Sequence, residues 1–524
     1  MKKYIFRYRS HFFYIVLSVL LLHSAKLNSN VIGIDTEDLI HLGRDFYGGW
    51  LATGRQGLVF LKFALGNSCF NPYFSGLMTL IMFALAVSVF FMLWDHVSSG
   101  SGEQKYGLTA WILGGILWIS HPILVEQFYF SLQSMEVCFC FALTAGALYL
   151  SMLWVENRTR KARFLLPSAA AAFLFITFSS YQVFVVLYIF GVVTMLLLQG
   201  LRSLTQGNTI PVKHLLKKIG MYVIIFLISF GINMAITKIF FSTSDYLEQQ
   251  ILWGKIEISD NILIIVHHIR QVLTGADSVF YHWGYGLLCI TSFLLLLAVL
   301  YRNRTQKKSG SVMIFLLYFT MMAMPFLMTV IMGGTPAVRS QLILPVLTGF
   351  LAYLNIILLR YTELKKSSST FCAAAALVLV CGVTGIGQAR MTEALYYTDR
   401  CRYEQDVAIA QQLIKQMRLV NRWNLPVAVV GSLEFEPNNA CVKGEIIGTS
   451  FFDFDADEEP LNYWSTRRIL GFFHTLGADY EQLHADRMPE ALEYSTYMAM
   501  WPEDNCVELN EENEEYVVIK LSDF

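Results

Sequence analysis

The stretch Tyr73–Trp94 reads YFSGLMTLIMFALAVSVFFMLW, without one charged residue. A bilayer core about 30 Å thick is crossed by roughly 20 such residues wound as a helix. Ten further segments of this kind fall near 11–27, 107–124, 131–154, 164–179, 181–200, 219–240, 284–301, 311–332, 342–360 and 370–388, so eleven spans are expected. Composition points the same way. Of 524 residues, 55% are hydrophobic and only 15% charged, with a mean hydropathy of +0.48. Soluble domains carry about 25% charge, so an ordinary cytosolic enzyme and a disordered chain are both excluded. The fold class is an α-helical polytopic membrane protein. Nine cysteines without metal-ligand spacing do not make a disulfide scaffold.

Lys2, Lys3, Arg7 and Arg9 ahead of Phe12–Leu22 resemble the start of a signal peptide, but Leu22-His-Ser-Ala25 is a poor cleavage site. A retained anchor helix is expected. With its N-terminus inside, the inner segments hold 20 Lys and Arg and the outer loops only 6. The positive-inside rule then fixes the topology. An odd number of spans places residues 389–524 outside, where 25 acidic residues face 11 basic ones. The net charge of −1 is therefore a cancellation between a basic inner rim and an acidic exported tail. The chain divides into a membrane domain, 1–390, with outer loops 28–72 and 241–283, and a small outer α/β domain, 391–524. In the tail a charged helix (Asp399–Val420), a strand (Pro426–Gly431), helices at Tyr463–Leu476 and Pro489–Met500 and a closing strand (Tyr516–Leu521) are expected. The amphipathic stretch Asn261–Leu273 suits an interfacial helix.

The inner loops are too short to house chemistry, so candidate site residues face outward. Gly33-Ile-Asp35-Thr-Glu37-Asp38 sets three carboxylates at the membrane surface. It also suits a helix start, with Asp35 or Thr36 as cap. Downstream come Tyr47-Gly-Gly-Trp50 and Thr53-Gly-Arg55-Gln56-Gly57, in which Arg55 suits a phosphate or a partner such as Asp38 or Asp45. His121-Pro122 with Glu126-Gln127, Ser179-Ser-Tyr181-Gln182 and Gly333-Gly-Thr-Pro-Ala-Val-Arg339-Ser-Gln341 lie at outer span ends. Polar groups at the bilayer edge are costly unless they face an aqueous cavity, and their clustering on one side points to a shared site.

These motifs, with Asn71-Pro72 and Arg400-Cys-Arg402-Tyr-Glu-Gln-Asp406 in the tail, resemble the GtrII-type bacterial glucosyltransferases that modify lipopolysaccharide O-antigen. The chain is similar more broadly to the GT-C class of polytopic glycosyltransferases. The resemblance implies a GT-C-like fold in the bacterial inner membrane. It also implies an undecaprenyl-phosphate-linked hexose, glucose in this family, as donor. The acceptor would be a growing polysaccharide, with transfer on the periplasmic face. The essential acid of the class sits in the first outer loop, which here maps to Asp35 or Glu37.

Elementary chemistry agrees. A sugar hydroxyl becomes a nucleophile when a carboxylate takes its proton, and a lipid phosphate leaves as an anion. Glu37 or Asp35 is the expected catalytic base, with Arg55 and Arg339 on the phosphate and Asp38, Gln56, His121, Tyr181 and Gln182 as substrate-binding candidates. No cofactor is required, although a divalent metal could bridge a carboxylate and the phosphate. The partners expected are a polyprenyl-phosphate sugar, a polysaccharide and the bilayer, with no nucleic acid. A flippase for lipid-linked saccharides is the alternative, against which stand the lack of a convincing internal repeat and the placement of most polar residues at outer span ends.

Asp453-Phe-Asp455-Ala-Asp457 lacks the glycine and terminal glutamate of a calcium loop and reads as a solvated acidic turn. His267 and His268 are adjacent and read as interfacial. The sequons at Asn157 and Asn303 fall in inner loops. Cys441 and Cys506 are a candidate disulfide on the oxidising side.

Overall fold

The computed structural model describes residues 2–28, 31–99, 107–156, 162–207, 211–241, 250–303, 308–362, 367–421, 423–510 and 515–523. Outside them lie Lys105, Arg158, Arg160, Lys161, Arg304, Lys307, Lys365 and Lys366 of the basic rim, and the Asn157 sequon. Eight helical segments among the described residues are long and apolar enough to cross a bilayer, from Pro72–Ser99 to the helix ending at Val420, with Gly310–Met332 counted as one. A helix lies over each of the other three expected segments, but each differs from a simple span. The helix Lys2–His23 carries the basic N-terminal residues and stands outside the eight. Ala162–Phe178 has 17 residues, roughly 25 Å at 1.5 Å per residue, and contains Pro167. The third, expected over 107–124, is a bent pair.

That pair consists of Gly107–Ile119 and Ile123–Tyr129, set at 56° around Ser120-His121-Pro122. Pro122 has no N–H and disfavours helical geometry at His121, so the helix stops there. The second arm turns inward instead of forming a surface turn. Glu126 is 0% exposed and Gln127 1%. Pro325 acts similarly in the segment 311–332, where a 3-10 turn, Met324–Phe326, separates Lys308–Ala323 from Leu327–Met332.

The core is packed with large rings: Trp94, Trp111, Trp118, Phe91 and Tyr353 all lie within one buried cluster. Beside them Gly107–Ile119 and Ile343–Thr362 touch backbone to backbone. A Cβ on Gly349 would sit 2.7 Å from the Gly114 carbonyl oxygen, and one on Gly114 2.7 Å from that of Gly349. Small residues are what allow helices to approach this closely without the help of a hydrophobic effect between them.

The expected span at 370–388 and the charged helix at 399–420 are one continuous helix, Ser367–Val420, of 54 residues. At roughly 80 Å it is far longer than a bilayer core, so it carries the membrane part directly into the tail through position 390. The tail holds a three-stranded sheet in the order β1 (Val427–Val430), β3 (Val517–Lys520), β2 (Val507–Leu509). β1 and β3 are parallel, with Val427 opposite Val517, and β2 is antiparallel to β3. Alternation sorts the strands' faces. Val427, Val429, Val517 and Ile519 join the main core, while Ala428, Val430 and Val518 pack on Met488 and Ala491 of the helix Met488–Ser495. The remaining tail helix is Tyr463–Thr475. Asn261–Leu273 lies within the helix Ile258–Thr274. Cys441 and Cys506 are free thiols, so the expected disulfide is not formed; Cys506 is buried and its thiol bonds Gln416 Oε1 at 3.2 Å.

Replacing Gly349 by Leu forces the two helices apart, at a cost of about 1–3 kcal/mol or more. Thermal unfolding in detergent should show a marked loss, whereas Gly382→Leu, which meets open space, should leave stability nearly unchanged.

Candidate functional site

The start of the acidic loop is shaped by Tyr129. Gly33 lies so close to Tyr129 that a Cβ would sit 2.8 Å from the ring, and the Ile34 N–H donates to Tyr129 Oη at 3.0 Å. Asp35 then adopts φ 68°, a left-handed conformation that Asp tolerates better than most side chains. The helix Thr36–Leu42 begins directly after it, but the Asp35 side chain makes no capping hydrogen bond. Its carboxylate is turned outward instead.

What it meets comes from the far end of the chain. Arg468, on the tail helix Tyr463–Thr475, donates from Nη1 to Asp35 Oδ1 and to Glu37 Oε1, each at 3.1 Å. Its Nε donates to Asp455 Oδ2. The neighbouring Arg467 forks onto Asp38 through Nε at 3.3 Å and Nη2 at 3.1 Å. One turn further on, Gly471 packs beside Glu37, where a Cβ would lie in ordinary contact at 3.4 Å from Glu37 Cγ. Four carboxylates thus share two guanidinium groups.

Glu37 is fully buried, and its Oε2 has no hydrogen-bond partner among the described residues. Burial pushes its carboxyl up to about 8, against the pull of Arg468, while Asp35 and Asp38 push it the same way. Burial also raises Asp38, with Arg467 opposing. Asp35 differs in access: its side chain is 41% exposed and opens onto a cavity.

That cavity, about 230 Å³, is lined by Asp35, Gly49, Trp50, Thr53, Arg55, Phe130, Leu132, Gln133, Tyr181 and Arg339. A second of about 210 Å³ shares Arg55, Tyr181 and Arg339 and adds Gln182, Ile251, Met328, Ile331 and Met332. Residues far apart in sequence meet here for local reasons. Gly57 donates its N–H to the Ser179 carbonyl at 2.9 Å, and a Cβ there would sit 2.3 Å from Ser179 Oγ. This contact locks the Arg55 loop to the Ser179–Gln182 turn and sets the Arg55 guanidinium over the Tyr181 ring at 5.7 Å. Arg339 lies over Phe130 at 4.5 Å. The turn that carries it is held by Asn261, which donates to the Gly333 carbonyl at 2.7 Å, and by Gln341, which takes a 2.7 Å bond from Tyr281.

Of the expected site residues, Asp35, Arg55, Tyr181, Gln182 and Arg339 line these two cavities. Glu37 and Asp38 sit behind Asp35 in the arginine clamp. Gln56 is turned away, donating to Asn233 Oδ1 at 2.5 Å. His121 is buried at the helix break and lines neither cavity. His268 is not interfacial: it is 1% exposed and bonds Thr329 and Tyr281 at 2.9 and 3.1 Å.

Sequence reading missed the clamp's tail half. Asp455 belongs to a turn expected to be solvated, yet it is 13% exposed and grips Arg468. The one available signal was the Arg467-Arg468 pair in a tail so poor in cations. Two further contacts dock the tail. Glu126 Oε1 accepts the backbone N–H groups of Glu445, Ile446 and Ile447 at 2.6, 3.3 and 3.5 Å. Arg402, fully buried, donates to Asp399, Asp406 and the Ile32 carbonyl at 2.6, 3.2 and 3.2 Å, tying the long helix to the start of the acidic loop.

The family model described as Glucosyl transferase GtrII matches residues 25–356. No curated protein and no solved structure gives a significant match to the chain.

The buried Glu37 makes stability pH-dependent in a defined sense. Its folded value lies above the ordinary 4.5, so its contribution is full below that pH and is lost as pH rises through about 8. Melting curves between pH 5 and 8 should fall less steeply for Glu37→Gln than for the wild type, because glutamine cannot ionise.

Proposed function

Because the chain belongs to the GtrII glucosyl transferase family, we propose that it moves glucose from a polyprenyl-phosphate donor to a polysaccharide acceptor such as lipopolysaccharide O-antigen. The observation that carries this reading is one carboxylate and two guanidinium groups, Asp35, Arg55 and Arg339, around a single cavity. The second cavity continues from the two arginines along Ile251, Met328, Ile331 and Met332. An apolar groove that ends in paired cations suits an isoprenoid chain ending in a phosphate.

In this mechanism Asp35, the carboxylate with access to the cavity, takes the proton from the attacking acceptor hydroxyl. The acceptor oxygen bonds to C1 of the sugar as the bond from C1 to the phosphate oxygen breaks. The electron pair leaves with the lipid phosphate, and Arg55 and Arg339 stabilise that developing charge. Direct displacement inverts the anomeric centre. Glu37 keeps Asp35 in place through the Arg468 they share. The excess of basic residues in the inner loops orients the chain with its N-terminus in the cytoplasm and its tail in the periplasm, across the bacterial inner membrane.

Purified protein in detergent, given polyprenyl-phosphate glucose and acceptor, should form the glycosidic product. Asp35→Asn should lower kcat by about 10²- to 10⁴-fold. Glu37→Gln should retain more activity than Asp35→Asn, and Arg55→Gln or Arg339→Gln should lower kcat/KM for the donor. Full activity in Asp35→Asn would remove it as the base. A wild type that transfers no sugar would favour the flippase.

A further inference from the structure

At the far end of the clamp, two imidazoles and a carboxylate converge from separate segments. His41 lies in the last turn of Thr36–Leu42, and His474 in the last turn of Tyr463–Thr475. Their rings face each other, with centroids 4.9 Å apart and planes inclined by 38°. Asp479 completes the group because Gly477, at φ +84°, turns the chain back beside the helix end. Asp479 Oδ1 stands 3.1 Å from His474 Nδ1 and 3.8 Å from His41 Nε2. One potential ligand atom from each residue lies within 4.8 Å of the others.

We propose that His41, His474 and Asp479 bind one divalent transition-metal ion, zinc by ligand chemistry, which pins the acidic helix to the tail. Zinc takes imidazole nitrogen at about 2.0–2.1 Å and carboxylate oxygen at about 2.0–2.2 Å in tetrahedral array, which sets neighbouring ligand atoms about 3.3 Å apart. One pair is already at that spacing, and the others reach it by a small side-chain adjustment. Three protein ligands leave a fourth position for water or a substrate oxygen.

Two independent features favour a cation at this point. Both helices end here, so their carbonyl ends present partial negative charge. His41 Nδ1 is buried without a hydrogen-bond partner among the described residues, so no bond from that nitrogen holds the ring in place. The site lies one helical turn beyond Glu37 and Asp38, so the ion would brace the clamp from outside. This inference is independent of which carboxylate acts as base.

The test uses the full chain, purified in detergent by a tag without histidines, stripped with chelator and titrated with zinc chloride. One zinc per chain should survive gel filtration and raise the melting temperature, and cobalt(II) should give a tetrahedral visible spectrum. His474→Gln and Asp479→Asn should each weaken zinc affinity by about tenfold or more. Asp479 is 73% exposed, so its substitution leaves the fold intact. Wild-type protein that holds no stoichiometric zinc, or equal affinity in the wild type and both variants, would overturn the site.

Discussion

Arg468 holds carboxylates from opposite ends of the chain. Asp35 and Glu37 follow the first helix, Asp455 belongs to the tail, and the guanidinium that joins them is only 16% exposed. A buried charge is tolerated where partners and hydrogen bonds surround it, and removing one partner typically costs about 3–5 kcal/mol. Burial, seconded by Asp35 and Asp38 and opposed by Arg468, pushes one member of the cluster, Glu37, towards the protonated state. The same contact lets the tail decide where the acidic loop stands. The membrane part therefore does not present its carboxylates alone.

The rest of the architecture serves that junction. The helix Ser367–Val420 leaves the membrane part without a hinge and brings Arg402 to the Ile32 carbonyl, next to the loop's first residues. The break at Pro122 turns Glu126 inward, where it accepts three backbone N–H groups of the tail. Glu445, from that same tail segment, accepts the Val338 N–H at 2.9 Å and so reaches the turn that carries Arg339. Both walls of the cavity, the acidic loop and the arginine turn, are thus positioned by residues beyond 400.

Much of this was legible from local pattern. Each apolar run of about 20 residues became helix in whole or in part, and the tail's elements fell near their expected bounds except the helix expected at Pro489–Met500, which ends at Ser495. Pro122 and Pro325 interrupt two segments that were expected as unbroken spans, whereas Pro167 stays within its helix. Asp35, Arg55, Tyr181 and Arg339 share a cavity, and each sits near the end of an apolar run, a placement that hydropathy can locate. Long-range pairing was not legible. Nothing local distinguishes Asp455 of a solvated turn from Asp455 of an ion pair, or shows that Arg468 lies against residue 37. The strand Val507–Leu509 has three residues and an acidic centre, too short to announce itself. The division at 390 fell inside a helix because hydropathy falls there while the backbone continues.

The central claim is that the tail's arginine sets the acidic loop for chemistry. It is tested most directly by the turnover of Arg468→Gln at saturating donor, in protein shown to be folded and monodisperse. The account predicts a fall in kcat of about tenfold or more, with donor KM little changed, because Arg55 and Arg339 remain in place. Wild-type turnover in Arg468→Gln would contradict it.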